Sequence, residues 1–245
     1  MIVQDNNGMK FQMSAFKLAQ LGAKVVITGR RNELGNQAVR DIVAQGGDAL
    51  FLQSDVNSEK EVQEMIETTI SHYGKLNILV NNAGVSLETL PIAHADGNLF
   101  QQMLQTNVMG IFFCMKHAIQ QMLKQGEGGS IVNLASIAGL NGMPYAGPYA
   151  ATKHAVVGLT KSAALEYATE NIRVNAVAPG AIKTDIITKS IEQGTYNEDI
   201  IVQMHPMMRM GRPQEIADGI VWLCSDEASF ATGTILNMDG GFTAK

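Results

Sequence analysis

Cysteine is scarce: the chain of 245 residues holds two, Cys114 and Cys224. They make no metal-binding spacing, and so low a count points to a reducing compartment rather than a disulfide framework. No apolar run is long enough to span a bilayer, so no membrane partner is expected. The opening MIVQDNNGMK has no basic segment ahead of an apolar core. A secretory signal is therefore not expected, and a cytoplasmic location is. Clustered positive charge is missing too. Lys and Arg number 18 against 23 Asp and Glu, a net charge of −5. Nucleic-acid binding needs grouped cations against the phosphates, so nucleic acid is excluded as the main partner. The five histidines lack ligand spacing, and no metal is expected.

What is present suits a globular enzyme-sized chain. Hydrophobic residues at 46% against 17% charged can build a sizeable core. The length favours a single domain over residues 1–245. Short β-rich runs alternate with amphipathic stretches. Strands are expected at Met1–Val3, Lys24–Thr28, Ala49–Gln53, Leu76–Gly84, Ser130–Ser136, Ile172–Gly180 and Thr234–Met238. Helices are expected at Ser14–Leu21, Glu33–Gln45, Glu59–Tyr73, Asn98–Lys124, Tyr149–Glu170 and Pro213–Cys224. Alternating elements imply parallel strands joined by right-handed crossovers. The fold class is α/β: a doubly wound, three-layer α/β/α Rossmann-type sheet, with ligands beyond the C-terminal strand ends. The stretch Thr184–Arg212 has weak periodicity and many methionines. It is the candidate lid over a substrate, the alternative being a surface helix pair without function.

Tyr149 and Lys153 stand at i and i+4, on one helix face. A phenol ionises near pH 10, and a cation one turn away lowers that value. Gly147-Pro148 marks a helix start whose dipole also favours an anion. Such a phenol can exchange a proton with a carbonyl or alcohol oxygen. Alone, the pair is a common surface pattern. Ser136 ends a strand thirteen residues earlier, where a ligand-facing hydroxyl belongs. Asn107 lies within an expected helix, where a polar face residue is unremarkable. Asn81-Asn82-Ala83-Gly84 closes one strand, and Pro179-Gly180, with Thr184 following, closes another.

Taken together, in this order and spacing, these motifs and Gly211-Arg212-Pro213 make the chain resemble the short-chain dehydrogenase/reductase family from about Ala23 to Gly241. Within it, the likeness is to the broad group of glucose 1-dehydrogenases, 3-oxoacyl-carrier-protein reductases and related alcohol dehydrogenases. The resemblance implies a nicotinamide cofactor and roles for named residues. Tyr149 would be the general acid and base. Lys153 would lower its pKa and hold the nicotinamide ribose. Ser136 would polarise the substrate oxygen, and Asn107 would support a water in a proton relay ending at Lys153. Asp55, with Val56 beside it, would take the adenine amine. Asn81, with Ala83 and Gly84, would sit under the adenosine ribose. Pro179, Gly180, Thr184 and the backbone of Ile182 would hold the carboxamide end. A homotetramer built on the two long helices and the C-terminal strand region is implied as well.

The N-terminus departs from the family. Its three turn glycines should fall at positions 5, 9 and 11, where this chain has Asp5, Met9 and Phe11, with Gly8 nearby. Glycine lets the backbone turn tightly and approach a pyrophosphate. Met9 and Phe11 would instead put side chains there, Asp5 would add negative charge, and Lys10 would offer a phosphate some positive charge or lie in solvent. The first strand is short as well. An altered start or reading frame is favoured over a genuinely divergent turn.

Thr28-Gly29-Arg30-Arg31 has no acidic residue for a ribose 2′-hydroxyl, and arginine suits bidentate phosphate contact. NADP(H) is therefore expected over NAD(H), with Arg30 at the phosphate and Arg31 in solvent. Tyr145, four residues before Tyr149, either lines the substrate pocket or packs. His154 and His205 are expected to be solvated. Met204, Met207, Met208 and Met210 would form an adaptable pocket wall or pack in a core or interface. The function expected is hydride transfer between NADP(H), or NAD(H), and a secondary alcohol or ketone. The alternative is an impaired member acting as a scaffold.

Overall fold

The computed structural model describes residues 1–4, 9–192 and 197–244. Asp5 to Gly8 of the anomalous turn, and the side chains of Met9, Lys10 and Phe11, lie outside the described residues. Seven strands form one sheet: β1 (Ile2–Gln4), β2 (Lys24–Gly29), β3 (Asp48–Gln53), β4 (Ile78–Asn81), β5 (Gly129–Leu134), β6 (Ile172–Pro179) and β7 (Ile235–Met238). Their order is β3-β2-β1-β4-β5-β6-β7 and every pairing is parallel. The helices are α1 (Met9–Gln20), α2 (Asn32–Ala44), α3 (Glu59–Tyr73), α4 (Gly97–Leu104), α5 (Gly110–Gln125), α6 (Gly147–Tyr167), α7 (Asp185–Glu192), α8 (Glu198–Gln203) and α9 (Pro213–Cys224).

The reason for these strands is burial on both faces, which only continuous apolar runs tolerate. Val25, Val26 and Ile27 of β2 are buried, as are all residues of β5 from Ser130 to Leu134. Side chains on one face pack with α3, α5 and α6, forming the core around Ile111, Ile131 and Val156. Those on the other pack with α1, α2 and α9, around Val3, Ile42 and Ile220. Each large buried aliphatic contributes about 1.5–3 kcal/mol. Helix ends follow from local chemistry. Ser58 accepts a hydrogen bond from the Glu61 N–H to start α3, and Gly74 ends it at φ +83°.

Strand β1 spans three residues but is fully used, with Ile2 opposite Val26 on one side and Leu79 on the other. The chain runs outward in opposite directions from β1 and β4. Their C-terminal ends therefore open a crevice at the switch in strand order.

Two elements differ from the sequence expectation. The single helix expected over Asn98–Lys124 is broken into α4, a π turn at Gln105–Met109, and α5. The turn adds one residue to the helical ladder, which side-chain periodicity does not reveal, and such bulges recur at functional sites. Gly110 follows it because a Cβ there would stand 2.8 Å from Val56 Cγ2. The Thr184–Arg212 segment contains two short helices, α7 and α8, the second capped by Asn197, whose side chain accepts from Ile200 N–H. It returns to the sheet through a parallel bridge between Ile182 and Gly211.

Candidate active site

The site assembles where β4, β5 and β6 end. Leaving β5, the chain is extended at Ser136 and enters a 3₁₀ turn, Ile137–Gly139, whose first turn Ser136 Oγ caps by accepting from Ala138 N–H at 3.2 Å. That turn lies directly on α6. A Cβ on Gly139 would stand 2.7 Å from the Lys153 carbonyl oxygen, so glycine sets how closely Ser136 approaches the helix.

Helix α6 starts with Pro148 in its first turn. It carries Tyr149 half-buried and Lys153 3% exposed. Lys153 Nζ lies 5.8 Å from the Tyr149 ring centroid and donates to the Leu134 carbonyl at 2.7 Å. The Ser136 side chain acts on the Tyr149 phenol, favouring its anion. Ser136, Tyr149 and Lys153 thus share one face at the carboxyl edge of the sheet.

The electrostatics correct one expectation. Burial holds the Tyr149 phenol above its ordinary value, because desolvation penalises the phenolate. The opposing effect comes from the Ser136 hydrogen bond, where the sequence reading assigned it to Lys153. The phenol is consequently a proton donor at neutral pH.

Asn107, fully buried, occupies the π turn. Its Oδ1 accepts from Val85 N–H at 2.7 Å, and its Nδ2 donates to the Val85 carbonyl at 2.8 Å and to Thr152 Oγ1 at 3.0 Å. Thr152 in turn donates to the Tyr149 carbonyl at 2.7 Å. Asn107 therefore ties the turn after β4 to the helix carrying Tyr149. A Cβ on Gly84, in that turn, would lie in ordinary contact, 3.4 Å from Lys153 Nζ and 3.5 Å from Asn107 Oδ1, so Gly84 stands beside both groups.

Asn81 is placed differently from its neighbours in the motif. Its side chain is fully buried in the sheet: Oδ1 accepts from Gln4 Nε2 at 2.7 Å, and Nδ2 donates to Asn133 Oδ1 at 2.9 Å. Asn133 continues to Thr160 Oγ1 at 2.9 Å. A row of amides thus crosses β1, β4, β5 and α6, with Gln4 also accepting from Ala83 N–H at 3.4 Å. Ala83 is 2% exposed. Sequence reasoning missed Gln4, Thr152 and Gly139. A glutamine within a buried apolar strand was the one available signal, and it does not name a partner.

The outlying candidates fall in two groups. At the ends of β2 and β3, Arg30 is half-exposed and lies 3.9 Å from Asp55 Oδ2. Asp55 Oδ1 accepts from Asn57 N–H. Val56 is buried against Gly110, so its side chain belongs to the core. Ser54, just before Asp55, is 4% exposed with no hydrogen-bond partner for its hydroxyl among the described residues. Beyond β6, Pro179 is buried and Gly180 N–H donates to the Met238 carbonyl at 3.1 Å. Ile182 and Thr184 are buried, 1% and 8% exposed. In the bridge, Gly211 N–H donates to the Ala181 carbonyl and Lys183 N–H donates to the Gly211 carbonyl, so the N–H and C=O of Ile182 itself point away from Gly211.

Tyr145 is 61% exposed at φ +65°, a left-handed conformation costly for a bulky side chain. Its side chain is not buried in the core of this chain. His154 is exposed, its Nδ1 near the Ala150 carbonyl. His205, expected in solvent, is 3% exposed; it is enclosed because α8 and the turn after β7 close over it. Met204, Met207 and Met208 are exposed while Met210 is buried.

A parallel Rossmann-type sheet with serine, tyrosine and lysine gathered at its carboxyl edge defines a dehydrogenase-like protein. A family model described as enoyl-(acyl carrier protein) reductase matches residues 7–243. A 2,5-dichloro-2,5-cyclohexadiene-1,4-diol dehydrogenase of Sphingobium indicum is 40% identical over 227 residues, 93% of this chain and 90% of that one. A cyclohexanol dehydrogenase of an Acinetobacter species is 38% identical, covering 95% and 90%. The solved structure of ElxO with NADP bound superimposes with a TM-score of 0.92 at 38% identity, covering 100% of this chain and 99% of that one. The chain belongs to the short-chain dehydrogenase/reductase family of enzymes.

Proposed function

We propose that this chain is an oxidoreductase that interconverts a secondary alcohol and a ketone with NADP(H), NAD(H) being the second choice. The observation that carries the reading is the gathering of Ser136, Tyr149 and Lys153 where β5 ends, with the lysine nitrogen 5.8 Å from the phenol ring centroid and bonded to the Leu134 carbonyl. In reduction, Tyr149 gives its proton to the carbonyl oxygen; in oxidation it takes the proton from the alcohol. Ser136 hydrogen-bonds the same oxygen and fixes its distance from the phenol. Lys153 holds the ribose and stabilises the phenolate as it forms. Asn107 keeps the turn after β4 registered on α6, and the proton relay through it to Lys153 belongs to the same proposal. Tyr145 flanks the substrate. Segment Thr184–Arg212 covers the substrate as a lid.

Three features fit a dinucleotide laid across the switch in strand order. The backbone of Gly84 runs beside Lys153 and Asn107, where a ribose would lie. The N–H and C=O of Ile182 are not used by the bridge to Gly211, and with Pro179, Gly180 and Thr184 they would take a carboxamide. The Asp55 carboxylate, partly exposed 3.9 Å from the half-exposed Arg30, would meet the adenosine end. There Arg30 would take the 2′-phosphate, and Val56, Asn81 and Ala83 would act through their backbone. When bound, the nicotinamide supplies or accepts the hydride. NADP bound to ElxO supports the preference for the phosphorylated cofactor.

A homotetramer is part of the proposal, supported by exposed apolar side chains: Phe112 on α5, Leu165 on α6, Trp222 on α9 and Phe230 between α9 and β7. A cytoplasmic location is supported by two buried, unbridged cysteines. No described helix is long and apolar enough to cross a membrane. The test is a panel of ketones and alcohols offered with each cofactor. Turnover with NADPH at a kcat/KM above that with NADH is expected. No cofactor-dependent turnover, together with no binding of either cofactor, would overturn the reading in favour of a scaffold.

A further inference from the structure

We propose that His205 is a positioning residue that fixes the Ala181–Thr184 segment in the conformation that receives the nicotinamide end of the cofactor; this rests on the cofactor reading above. The imidazole is 3% exposed and joins three separate pieces of chain. Its Nε2 accepts from the Ala181 N–H at 3.1 Å. Its Nδ1 lies 2.8 Å from the Ile201 carbonyl in α8. Since Nε2 accepts, Nδ1 carries the proton and donates to Ile201, which makes the ring neutral with one defined tautomer. Its ring also lies 5.6 Å from that of Phe242, in the turn after β7.

The contact is built for close approach. A Cβ on Gly180 would meet Nε2 at 2.7 Å, so glycine is required for the ring to sit against the strand end. The segment is held from both sides. Ala181 O accepts from Gly211 N–H at 2.9 Å and Lys183 N–H donates to Gly211 O at 2.9 Å, while His205 takes Ala181 N–H. With Ala181 N–H, Ala181 C=O and Lys183 N–H engaged, the N–H and C=O of Ile182 are left on the side away from Gly211 to receive the carboxamide. His205 also lies at the end of α8, so the imidazole couples the segment's position to the placement of the candidate lid.

Three variants separate the two ring nitrogens. His205→Asn keeps a polar group at the level of Nδ1 but does not reach Ala181. His205→Gln places an acceptor near the position of Nε2. His205→Phe keeps the ring's bulk and loses both bonds. The measurement is calorimetric affinity for NADPH and for 2′-phospho-ADP-ribose, which carries the adenosine end without nicotinamide. The Asn and Phe variants are expected to bind NADPH about tenfold more weakly, leaving the fragment's affinity within twofold of wild type, and the Gln variant to recover most of the loss. A purely structural role would weaken both ligands together or lower only Tm. Equal losses for the two ligands, or no loss for NADPH, would overturn the proposal. Wild-type protein that binds neither ligand would overturn the cofactor reading instead. Should the Phe variant not fold, the contrast between Asn and Gln makes the same test.

Discussion

Tyr149 and Lys153 were legible at the residue scale because helical spacing alone puts i and i+4 side by side. What the spacing could not supply was the depth of the site, which raises the phenol's pKa where proximity to a cation was expected to lower it. The sign has a consequence. Neutral Tyr149 is the acid needed for reduction, so kcat/KM for reduction should stay flat through neutral pH and fall as pH rises through the raised pKa. Oxidation, which needs the phenolate, should gain over the same alkaline range. Initial rates in both directions from pH 6 to 10.5 check this, and an oxidation rate already at its plateau near neutrality would contradict it. Asn81 illustrates the opposite limit. Its sequence marks a turn that faces a ligand, yet its amide is consumed by Gln4 and Asn133. Replacing it by leucine strands both partners in the core, at about 1–3 kcal/mol each. A loss of about 3 kcal/mol, read by urea unfolding, is expected; a change under 1 kcal/mol would refute the amide row.

At the scale of elements, buried strands and amphipathic helices were readable from period and length, and Glu59–Tyr73 and Pro213–Cys224 match the structure residue for residue. The π turn at Gln105–Met109 was not, because an inserted residue leaves the apolar pattern on either side intact. Nor was the docking of the Ile137–Gly139 turn on α6, which depends on a missing methyl rather than a visible motif. Gly139→Ala should push that turn off the helix, since the obstacle is the Lys153 backbone and not a flexible side-chain end. Overpacking of this kind costs about 1–3 kcal/mol, and a shift of about 1 Å at a catalytic group costs about 100-fold in rate. The variant should therefore lose kcat far more than stability. An alanine variant with wild-type kcat would show that the turn has room to adjust.

At the scale of the whole molecule, strand order explains why residues 81–84, 136–153 and 179–184 meet at all. A doubly wound parallel sheet brings every strand's C-terminal end to one edge. That much followed from alternating elements. The closing of Thr184–Arg212 onto the sheet through His205 and Gly211 did not, since it depends on contacts between segments with no periodic signal. The proposed tetramer would cover the exposed Phe112, Leu165, Trp222 and Phe230. Light scattering on the purified protein should give four times the mass of 26.4 kDa; a monomer at micromolar concentration would contradict the assembly.

The central claim is that Tyr149 and Ser136 hold a ketone for hydride delivery, and isotope transfer tests it most directly. Protein supplied with NADPH deuterated at the nicotinamide C4 position and a cyclic ketone should place deuterium on the carbinol carbon of a single alcohol stereoisomer. Tyr149→Phe should bind NADPH normally and yield none. Deuterium-free alcohol from wild type, or full incorporation by the Phe variant, would contradict the account.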